Sequence, residues 1–378
     1  MKKNFLITFI IGTRPEAIKL GSVIKAFNNS ETFKPRIILT GQHKEMVNEI
    51  FEIWEIRPSK NLEIMLPNQT LNYVVSNVIQ KLNDELVKFK PDLLVVQGDT
   101  SSAFAGALAA FHLGIPIAHV EAGLRTDDIN EPFPEEANRR LISQLSTLHF
   151  APTKKSAENL KKEGILERVF ITGNTVIDVL LEESKKSFIP QFLKNIDLKK
   201  QKLVLATFHR RENWGENIIN ICCSISEILD KTKDTFFIIP MHKNKIIRDT
   251  ILNLLSKNPK VILTEPLKYN ELISIMKISH FIITDSGGIQ EEAPSLGKPV
   301  LVLRNKTERE EAIKAGCAKL VGTEKTNIIQ ECMKLLNDEL SYKRMSNINN
   351  PFGNGKASSH ILNICKLYLK EKFSVSNK

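Results

Sequence analysis

The chain has 378 residues, of which 42% are hydrophobic and 25% are charged. This composition is typical of a folded globular protein, and it excludes an intrinsically disordered chain, a collagen and a disulfide-rich scaffold. At about 150 residues per domain, the length predicts two or three domains. The formal net charge is +10, but no recognised DNA- or RNA-binding motif occurs. We therefore interpret the basic excess as a solvated, lysine-rich surface and predict no nucleic-acid partner.

The first predicted element is a buried strand over 5–11. The apolar run is short and is followed by Arg14-Pro15-Glu16 rather than by the small residues of a signal-peptide cleavage site. No run approaches about 18 apolar residues, so we predict no membrane span. The chain has five cysteines and no C-x-x-C pair. This favours reduced core thiols and no thiolate metal site.

Short runs rich in Ile, Val and Leu alternate with helix-period segments along the chain. Continuous apolar strands are typical of parallel sheets covered on both faces, and the helices between them indicate βαβ units. The predicted helices are 16–27, 71–89, 103–113, 216–229 and 360–372. The predicted strands fall into two series, 5–11, 36–40, 92–96, 117–120, 148–151 and 169–172, then 203–207, 235–240, 261–264, 281–284, 300–303 and 318–321.

Two series of strands predict the α/β class, with two Rossmann-like, doubly wound domains and a cleft between them. We place the break near 173–202, where a helical segment gives way to polar, lysine-rich sequence. The last helix, 360–372, can belong to either domain on this pattern alone.

Ligands of doubly wound sheets bind at the carboxyl ends of the strands. The segment 12–19 follows the first strand, and Arg14 at a helix N-terminus is well placed to hold a phosphate, with Lys19 one turn later. The segment is not G-x-G-x-x-G, and no acidic residue ends the second strand. A dinucleotide cofactor is therefore poorly supported. The competing interpretation of this segment is a solvated helix start.

Three carboxylates come after the strands at 92–96 and 117–120, namely Asp99, Glu121 and Glu135. Carboxylates that share a site divide acid and base roles, because burial and neighbouring charges separate their pKa values. Asp99 and Glu135 are also acceptable as helix caps. The occurrence of all three at one predicted sheet edge favours an acid/base site.

The second half carries groups that suit a diphosphate. His209, Arg210 and Arg211 follow the strand at 203–207, and His242 follows the strand at 235–240. Such donors stabilise a departing phosphate, although a lone histidine is more often structural. Ser286, Gly287 and Gly288 enter a helix, where backbone N–H groups can approach phosphate, and Glu292 lies one turn later.

The arginines are unevenly distributed, and 101–150 contains no lysine. Arginine binds phosphate and carboxylate in bidentate fashion. Together with the strand-end residues, this predicts a site for a nucleoside-diphosphate compound, with no metal cluster of His, Cys and Asp. Six of the 13 arginines lie in three short segments: Arg14; Arg125, Arg139 and Arg140; and Arg210 and Arg211.

With these motifs in place, the sequence resembles the bacterial non-hydrolysing UDP-N-acetylglucosamine 2-epimerases. The resemblance is colinear from about residue 5 to about residue 370. Asn68 departs from the basic residue that some relatives carry at that place. The segments that carry the resemblance are 12–19, 97–100, 119–126, 134–139, 172–178, 209–213 and 285–299.

The resemblance implies two Rossmann-like domains in the arrangement of many nucleotide-sugar glycosyltransferases, called GT-B. It implies an N-terminal domain at 1–172 with the acid/base carboxylates, a UDP-binding domain at 173–355, and a C-terminal helix at 356–378 that returns to the first domain. It also implies a cytoplasmic homodimer that needs no metal or redox cofactor. The implied small-molecule partners are UDP-GlcNAc and UDP-ManNAc.

The family reaction inverts C2 of the sugar through elimination of UDP, a 2-acetamidoglucal intermediate and re-addition. By motif, Asp99, Glu121, Glu135 and His209 are the catalytic candidates. The residues implied to bind substrate are Arg14, Lys19, Arg139, Ser286, Gly287, Gly288 and Glu292. The residues that match a regulatory UDP-GlcNAc pocket are Gln42, Gln69, Glu136, Arg210 and His242.

Alternatives remain open at this point. A hydrolysing relative would release UDP and free ManNAc. A glycosyltransferase would need an acceptor-binding insertion, which is not apparent, and an enzyme for a modified UDP-GlcNAc would share the same motifs. A non-catalytic UDP-sugar-binding regulator would not need all three carboxylates.

Overall fold

A computed structural model describes residues 4–42, 54, 56–66, 69–126, 128–186, 188–194 and 196–375. Asn68 lies outside these residues. The chain divides into two compact units. The first comprises Met1–Val179 with Gly353–Lys378, and the second comprises Leu180–Phe352.

The first unit is built on a seven-stranded parallel sheet in the order β3-β2-β1-β4-β5-β6-β7. Its strands are β1 (Phe5–Ile11), β2 (Phe33–Leu39), β3 (Lys60–Asn61), β4 (Leu93–Gln97), β5 (Ile117–Val120), β6 (Leu148–Ala151) and β7 (Val169–Ile171). Its helices are α1 (Arg14–Asn28), α2 (Leu71–Lys88), α3 (Ser101–His112), α4 (Glu135–Leu145), α5 (Lys154–Lys162), the first part of α6 (Thr175–Glu183), and the last helix of the chain.

The second unit is built on a six-stranded parallel sheet in the order β10-β9-β8-β11-β12-β13. Its strands are β8 (Lys202–Thr207), β9 (Thr235–Pro240), β10 (Val261–Thr264), β11 (Phe281–Thr284), β12 (Val300–Val302) and β13 (Ala318–Leu320). Its helices are α7 (Glu216–Lys231), α8 (Lys245–Leu255), α9 (Tyr269–Ile278), α10 (Gly287–Glu292), α11 (Glu310–Ala315), α12 (Lys325–Asn337) and α13 (Glu339–Ser346). The last helix, α14, is Ala357–Val375.

The predicted α/β class and the two doubly wound parallel sheets are confirmed. Six predicted strands coincide with observed strands to the residue. The strand β2 begins at Phe33, whereas the sequence predicted residue 36. Its first half was missed because it contains a lysine and a proline and lacks a continuous apolar run. The edge strand β3 was missed, since two polar residues carry no periodicity.

The central strands of both sheets are buried in the core of their unit. All five residues of β4 are buried, and Leu94 and Val96 pack with α2 and α3 in the core of the first unit. The core of the second unit joins β8, β9 and β11 to α7, α8 and α12. Because the strands in each sheet are parallel, their carboxyl ends, and the polar loops that follow them, lie along one edge.

The amino end of helix α14 is fixed to the rest of the first unit by hydrogen bonds. Asp178 accepts hydrogen bonds from the backbone N–H groups of Ala357 and Ser358 at 3.1 and 2.8 Å. The Ser358 hydroxyl also lies 2.8 Å from the Ser22 hydroxyl. Burial raises the pKa of Asp178, and the backbone donors oppose this shift. A carboxylate at a helix N-terminus satisfies N–H groups that have no partner within the helix.

Within the described residues, no helix is long and apolar enough to cross a membrane. All five cysteines are free thiols, and four of them are buried. Burial raises the pKa of Cys222 to about 12 and that of Cys317 to about 11.

Gly123, just after β5, provides a test of the packing between this loop and α5. Its φ is +90°, and a Cβ there would lie 2.1 Å from the carbonyl oxygen of Ser156. Gly114 also has a positive φ, of +63°, but a Cβ there meets nothing within 4 Å. We expect Gly114→Ala to cost about 1 kcal/mol of unfolding free energy, from backbone strain alone, and Gly123→Ala to cost at least about 2 kcal/mol more, because the backbone must move.

Urea unfolding followed by circular dichroism measures both variants. Equal losses for Gly123→Ala and Gly114→Ala would contradict the close approach of this loop to α5.

Candidate functional site

In the first unit, Glu16 ties together the loops after β1 and β4. Its Oε2 accepts hydrogen bonds from the backbone N–H groups of Gly12 and Thr13 at 2.8 and 2.6 Å, and its Oε1 accepts one from the Thr100 hydroxyl at 2.6 Å. Burial raises the pKa of Glu16, and these donors oppose the shift. A Cβ at Gly12 would lie 2.3 Å from the Ser102 hydroxyl oxygen, so only glycine fits this close approach.

Arg14 begins α1, directly after this turn. Its Nε is buried and has no hydrogen-bond partner among the described residues. A buried donor without a partner is costly, and a bound anion at the helix N-terminus would satisfy it. The structure thus puts Arg14 where the sequence placed it, at the carboxyl edge of the first sheet.

Glu121 follows β5 with a φ of +65°, which is unusual for a residue with a side chain. It is 8% exposed. Its Oε1 forms an ion pair with Lys19 from α1 and accepts a longer hydrogen bond of 3.4 Å from the Asn174 amide. Its Oε2 accepts a hydrogen bond from the Gln97 amide at the end of β4. Lys19, expected near a diphosphate, is therefore in direct contact with a predicted acid/base residue.

Asp99 follows β4 and pairs with Arg139 from α4, at 2.7 Å between Oδ2 and Nη2. The Asn138 amide donates to the Asp99 carbonyl oxygen at 2.9 Å, which fixes the loop to the same helix. Arg139 also lies 3.3 Å from Glu136, between Nη1 and Oε2. Arg139 therefore joins a predicted catalytic residue to a predicted regulatory one.

Glu136 is completely buried. It accepts hydrogen bonds from the Thr126 backbone N–H at 3.1 Å and from Arg140 Nε at 2.7 Å. A buried carboxylate is tolerated only with such partners. Arg125 forms a bidentate pair with Glu163, with distances of 2.7 and 2.6 Å, and this pair lowers the pKa of Glu163.

The other predicted residues of the first unit make fewer polar contacts among the described residues. Glu135 is the first residue of α4, and the structure gives its side chain no hydrogen bond or ion pair among the described residues. Gln42 accepts a hydrogen bond from the Ser102 hydroxyl at 2.7 Å. Gln69 accepts one from the Leu66 backbone N–H at 3.1 Å, away from the strand-end contacts above.

In the second unit, Asp285 organises the loop after β8. It is fully buried, and its Oδ2 accepts hydrogen bonds from the backbone N–H groups of His209 and Arg210, both at 2.8 Å, and from the Asn213 amide at 2.9 Å. The His209 Nδ1 lies 3.6 Å from Asp285 Oδ1. This carboxylate therefore fixes the backbone that carries His209.

The His209 ring stacks on His242, with centroids 5.3 Å apart and planes 2° from parallel. Although the side chain is 43% exposed, surrounding protein atoms desolvate the ring, and this lowers the pKa of His209. Asp285 opposes the shift, whereas His242 and Arg210 add to it. The ring is therefore neutral at pH 7.

The segment after β11 contains the remaining predicted residues. Ser286 precedes α10, and its backbone N–H donates to the Thr284 hydroxyl at 2.9 Å. Gly288 is exposed, whereas Gly287 is buried against the Arg309 guanidinium. Glu292 is buried and accepts a hydrogen bond from the Tyr269 hydroxyl at 2.9 Å.

Two groups of predicted residues emerge, one at the carboxyl edge of each sheet. In the described part of the chain, no cluster of three or more His, Cys, Asp or Glu residues suits a metal ion. Sequence reasoning missed four residues that hold these groups together. Gln97, Asn174, Glu16 and Asp285 all stood in the recognised motifs without a role. Apart from Gly12 and Thr13, which donate to Glu16, the partners named above for these residues are distant in sequence.

The family model described as UDP-N-acetylglucosamine 2-epimerase matches residues 25–366. A UDP-N-acetylglucosamine 2-epimerase of Campylobacter jejuni is 46% identical over 375 residues, which is 96% of this chain and 97% of the relative. The crystal structure of the UDP-GlcNAc 2-epimerase from Neisseria meningitidis, bound to UDP-GlcNAc, is 46% identical, with a TM-score of 0.86 over 95% of this chain and 98% of that one.

The fold is also similar to that of a glycosyltransferase. SnogD from Streptomyces nogalater is 15% identical, with a TM-score of 0.62 over 96% of this chain and 99% of that one. At this identity the likeness concerns the fold alone, and it agrees with the glycosyltransferase-like fold that the resemblance implies.

The stacked histidines generate a pH prediction. Because His242 lowers the pKa of His209 and covers its ring, His242→Ala removes a neighbouring positive charge at low pH and exposes the ring to water. Both effects favour the protonated form, so the titration of His209 moves to higher pH. Long-range ¹H–¹⁵N correlation spectra of the histidine rings measure this shift.

The matched control is His360→Ala, at an exposed position in the first unit. It leaves the His209 titration unchanged. A His209 titration that stays in place in His242→Ala would contradict the stacked geometry.

Proposed function

The chain belongs to the UDP-N-acetylglucosamine 2-epimerase family, and we propose that it interconverts UDP-GlcNAc and UDP-ManNAc by non-hydrolysing epimerisation at C2. The observation that carries this proposal is the set of carboxylates at the carboxyl edge of the first sheet. Glu121 and Asp99 are each paired with a cation, and Glu135 lies beside the buried Glu136. The crystal structure of a relative bound to UDP-GlcNAc supports the choice of substrate.

The chemistry explains why several carboxylates are needed. The C2 proton of the sugar is not beside a carbonyl group, so a simple enolate is not available. A base removes this proton, its electron pair forms the C1=C2 bond, and the bond from C1 to the UDP oxygen breaks. The products are 2-acetamidoglucal and UDP. When UDP adds back at C1 and a proton reaches C2 from the opposite face, the epimer forms without net consumption of water.

We assign the proton transfers to Asp99, Glu121 and Glu135. Proton removal and return on opposite faces require two separate groups. Asp99 comes from the loop after β4, whereas Glu121 and Glu135 lie at the two ends of the connection between β5 and α4. Lys19 and Arg139 neutralise two of them in the resting protein. Arg14, with its unpartnered buried Nε, is assigned to the diphosphate.

His209 is assigned to the departing UDP. Its ring is neutral at pH 7 because desolvation lowers its pKa. A diphosphate beside the ring favours the protonated imidazole, which can then donate to the leaving oxygen. We assign phosphate binding also to Ser286, Gly287 and Gly288, and the ribose hydroxyls to Glu292, which Tyr269 holds in place.

Two regulatory candidates are linked to catalytic ones, Glu136 through Arg139 to Asp99 and His242 directly to His209. Glu136 touches Arg139, and His242 stacks on His209. We propose that Gln42, Gln69, Glu136, Arg210 and His242 respond to a second UDP-GlcNAc molecule. With its family, we place the enzyme in the cytoplasm as a homodimer that supplies ManNAc units for cell-surface polysaccharide. Five free thiols agree with a reducing compartment.

NMR of the purified protein with UDP-GlcNAc in D₂O, without added metal or nicotinamide cofactor, tests the reaction. We expect UDP-ManNAc with deuterium at C2, because the C2 proton exchanges with solvent during elimination and return. Free ManNAc with an equal amount of UDP would instead identify the hydrolysing reaction. UDP-GlcNAc that binds but remains unchanged would point to a non-catalytic binding protein.

A second test addresses the carboxylates. We expect Glu121→Gln to lower kcat by roughly 10²- to 10⁴-fold, the usual contribution of a general acid or base. The matched control is Glu63→Gln, because Glu63 is an exposed glutamate that also has a positive φ, of +51°. It leaves kcat unchanged. Comparable rates for the two variants would exclude Glu121 as an acid/base residue.

A further inference from the structure

The backbone of Glu121 is held in an unfavourable conformation. A left-handed φ at a residue with a side chain is unfavourable and persists only where the surroundings enforce it. Here the next residue returns to the sheet, since the Ala122 N–H donates to the Phe150 carbonyl oxygen at 3.0 Å. The Glu121 side chain is thereby turned towards the end of β4.

The register of the sheet puts Gln97 beside this side chain. Gln97 and Val120 are partners in the β4–β5 pairing, and each is the last residue of its strand. The loop after Gln97 is fixed to β5 as well, because the Gly98 N–H donates to the Val120 carbonyl oxygen at 3.0 Å and the His119 Nε2 lies 2.7 Å from the Gly98 carbonyl oxygen. Gln97 is 3% exposed, so its amide must find its partners within the protein.

The two oxygens of Glu121 have different surroundings. Lys19 and Asn174 both approach Oε1. Among the described residues, Oε2 accepts a hydrogen bond from Gln97 alone. Each carboxylate oxygen has two lone pairs, so Oε2 keeps one that can exchange a proton.

We propose that Gln97 is a positioning residue for epimerisation, which fixes the Glu121 carboxylate so that the free lone pair of Oε2 faces the sugar. The amide suits this task, because it donates a hydrogen bond, adds no charge and neither gains nor loses a proton near pH 7. Among the described residues, Lys19 is the charged side chain in contact with Glu121, and it pairs with the other oxygen, Oε1. This inference rests on the proposed function of Glu121.

Two substitutions of similar size test the inference. Gln97→Met removes the donor, and Gln97→Glu replaces it with a second carboxyl group. Loss of the donor favours a protonated Glu121, and a like charge beside it does so more strongly. We expect the acid limb of the kcat/KM profile for UDP-GlcNAc to move to higher pH in both variants, further in Gln97→Glu.

We also expect kcat of Gln97→Met to fall by roughly 10- to 100-fold, the effect of a misplaced acid/base group, with KM within about twofold of wild type. A residue that only supported the fold would change expression and stability but would leave the pH profile in place. Calorimetric binding of UDP verifies that each variant is folded. If neither variant binds UDP, Gln97→Asn, which keeps the amide but shortens the side chain by one methylene and withdraws the donor from Oε2, gives the same readout.

The outcomes separate the two proposals. Full activity in Glu121→Gln would overturn the role of Glu121 and with it the role of Gln97. An inactive Glu121→Gln, together with wild-type pH profiles in the folded variants, would overturn the inference about Gln97 and leave the proposed function intact.

Discussion

A buried carboxylate holds the loops at the carboxyl edge of each sheet. Glu16 joins the turn after β1 to the loop after β4, and Asp285 joins the end of β11 to the backbone around His209. Glu16 accepts from the turn at 12–13 and from Thr100, whereas Asp285 accepts from the segment 209–213, and each carboxylate has two backbone N–H donors. Charge-assisted hydrogen bonds of this kind are about twice as strong as neutral ones. The positions of Arg14, Asp99 and His209 all depend on these two side chains.

Ion pairs and ring stacking connect the residues that we assign to catalysis with neighbouring residues outside the proposed proton transfers. Arg139 lies between Asp99 and Glu136, and His242 covers one face of His209. A change at Glu136 or His242 would therefore alter the surroundings of a catalytic candidate without contact with substrate. A second ligand would be coupled to the active site in this way only if it bound one of two states of these contacts more tightly than the other.

The strands were predictable because parallel strands buried on both faces are continuous apolar runs, as in β4. Polar edge strands have no such pattern, which is why β3 was missed. The resemblance identified the candidate site residues, but their partners could not be derived from sequence. Lys19 and Glu121 are 102 residues apart, and Glu136 is a charged residue with full burial. Only the fold decides which charged group contacts which, because many pairings satisfy the same electrostatics.

The position of helix α14 in the chain affects the order in which the two units can fold during synthesis. It belongs to the first unit, where Ile361, Cys365 and Leu369 are fully buried and Asp178 caps its first turn. The core of the first unit is therefore complete only after α14 has been synthesised, whereas Leu180–Phe352 contains all the strands of the second sheet. During synthesis, the second unit can complete its core before the first does, although its strands follow those of the first sheet in the chain.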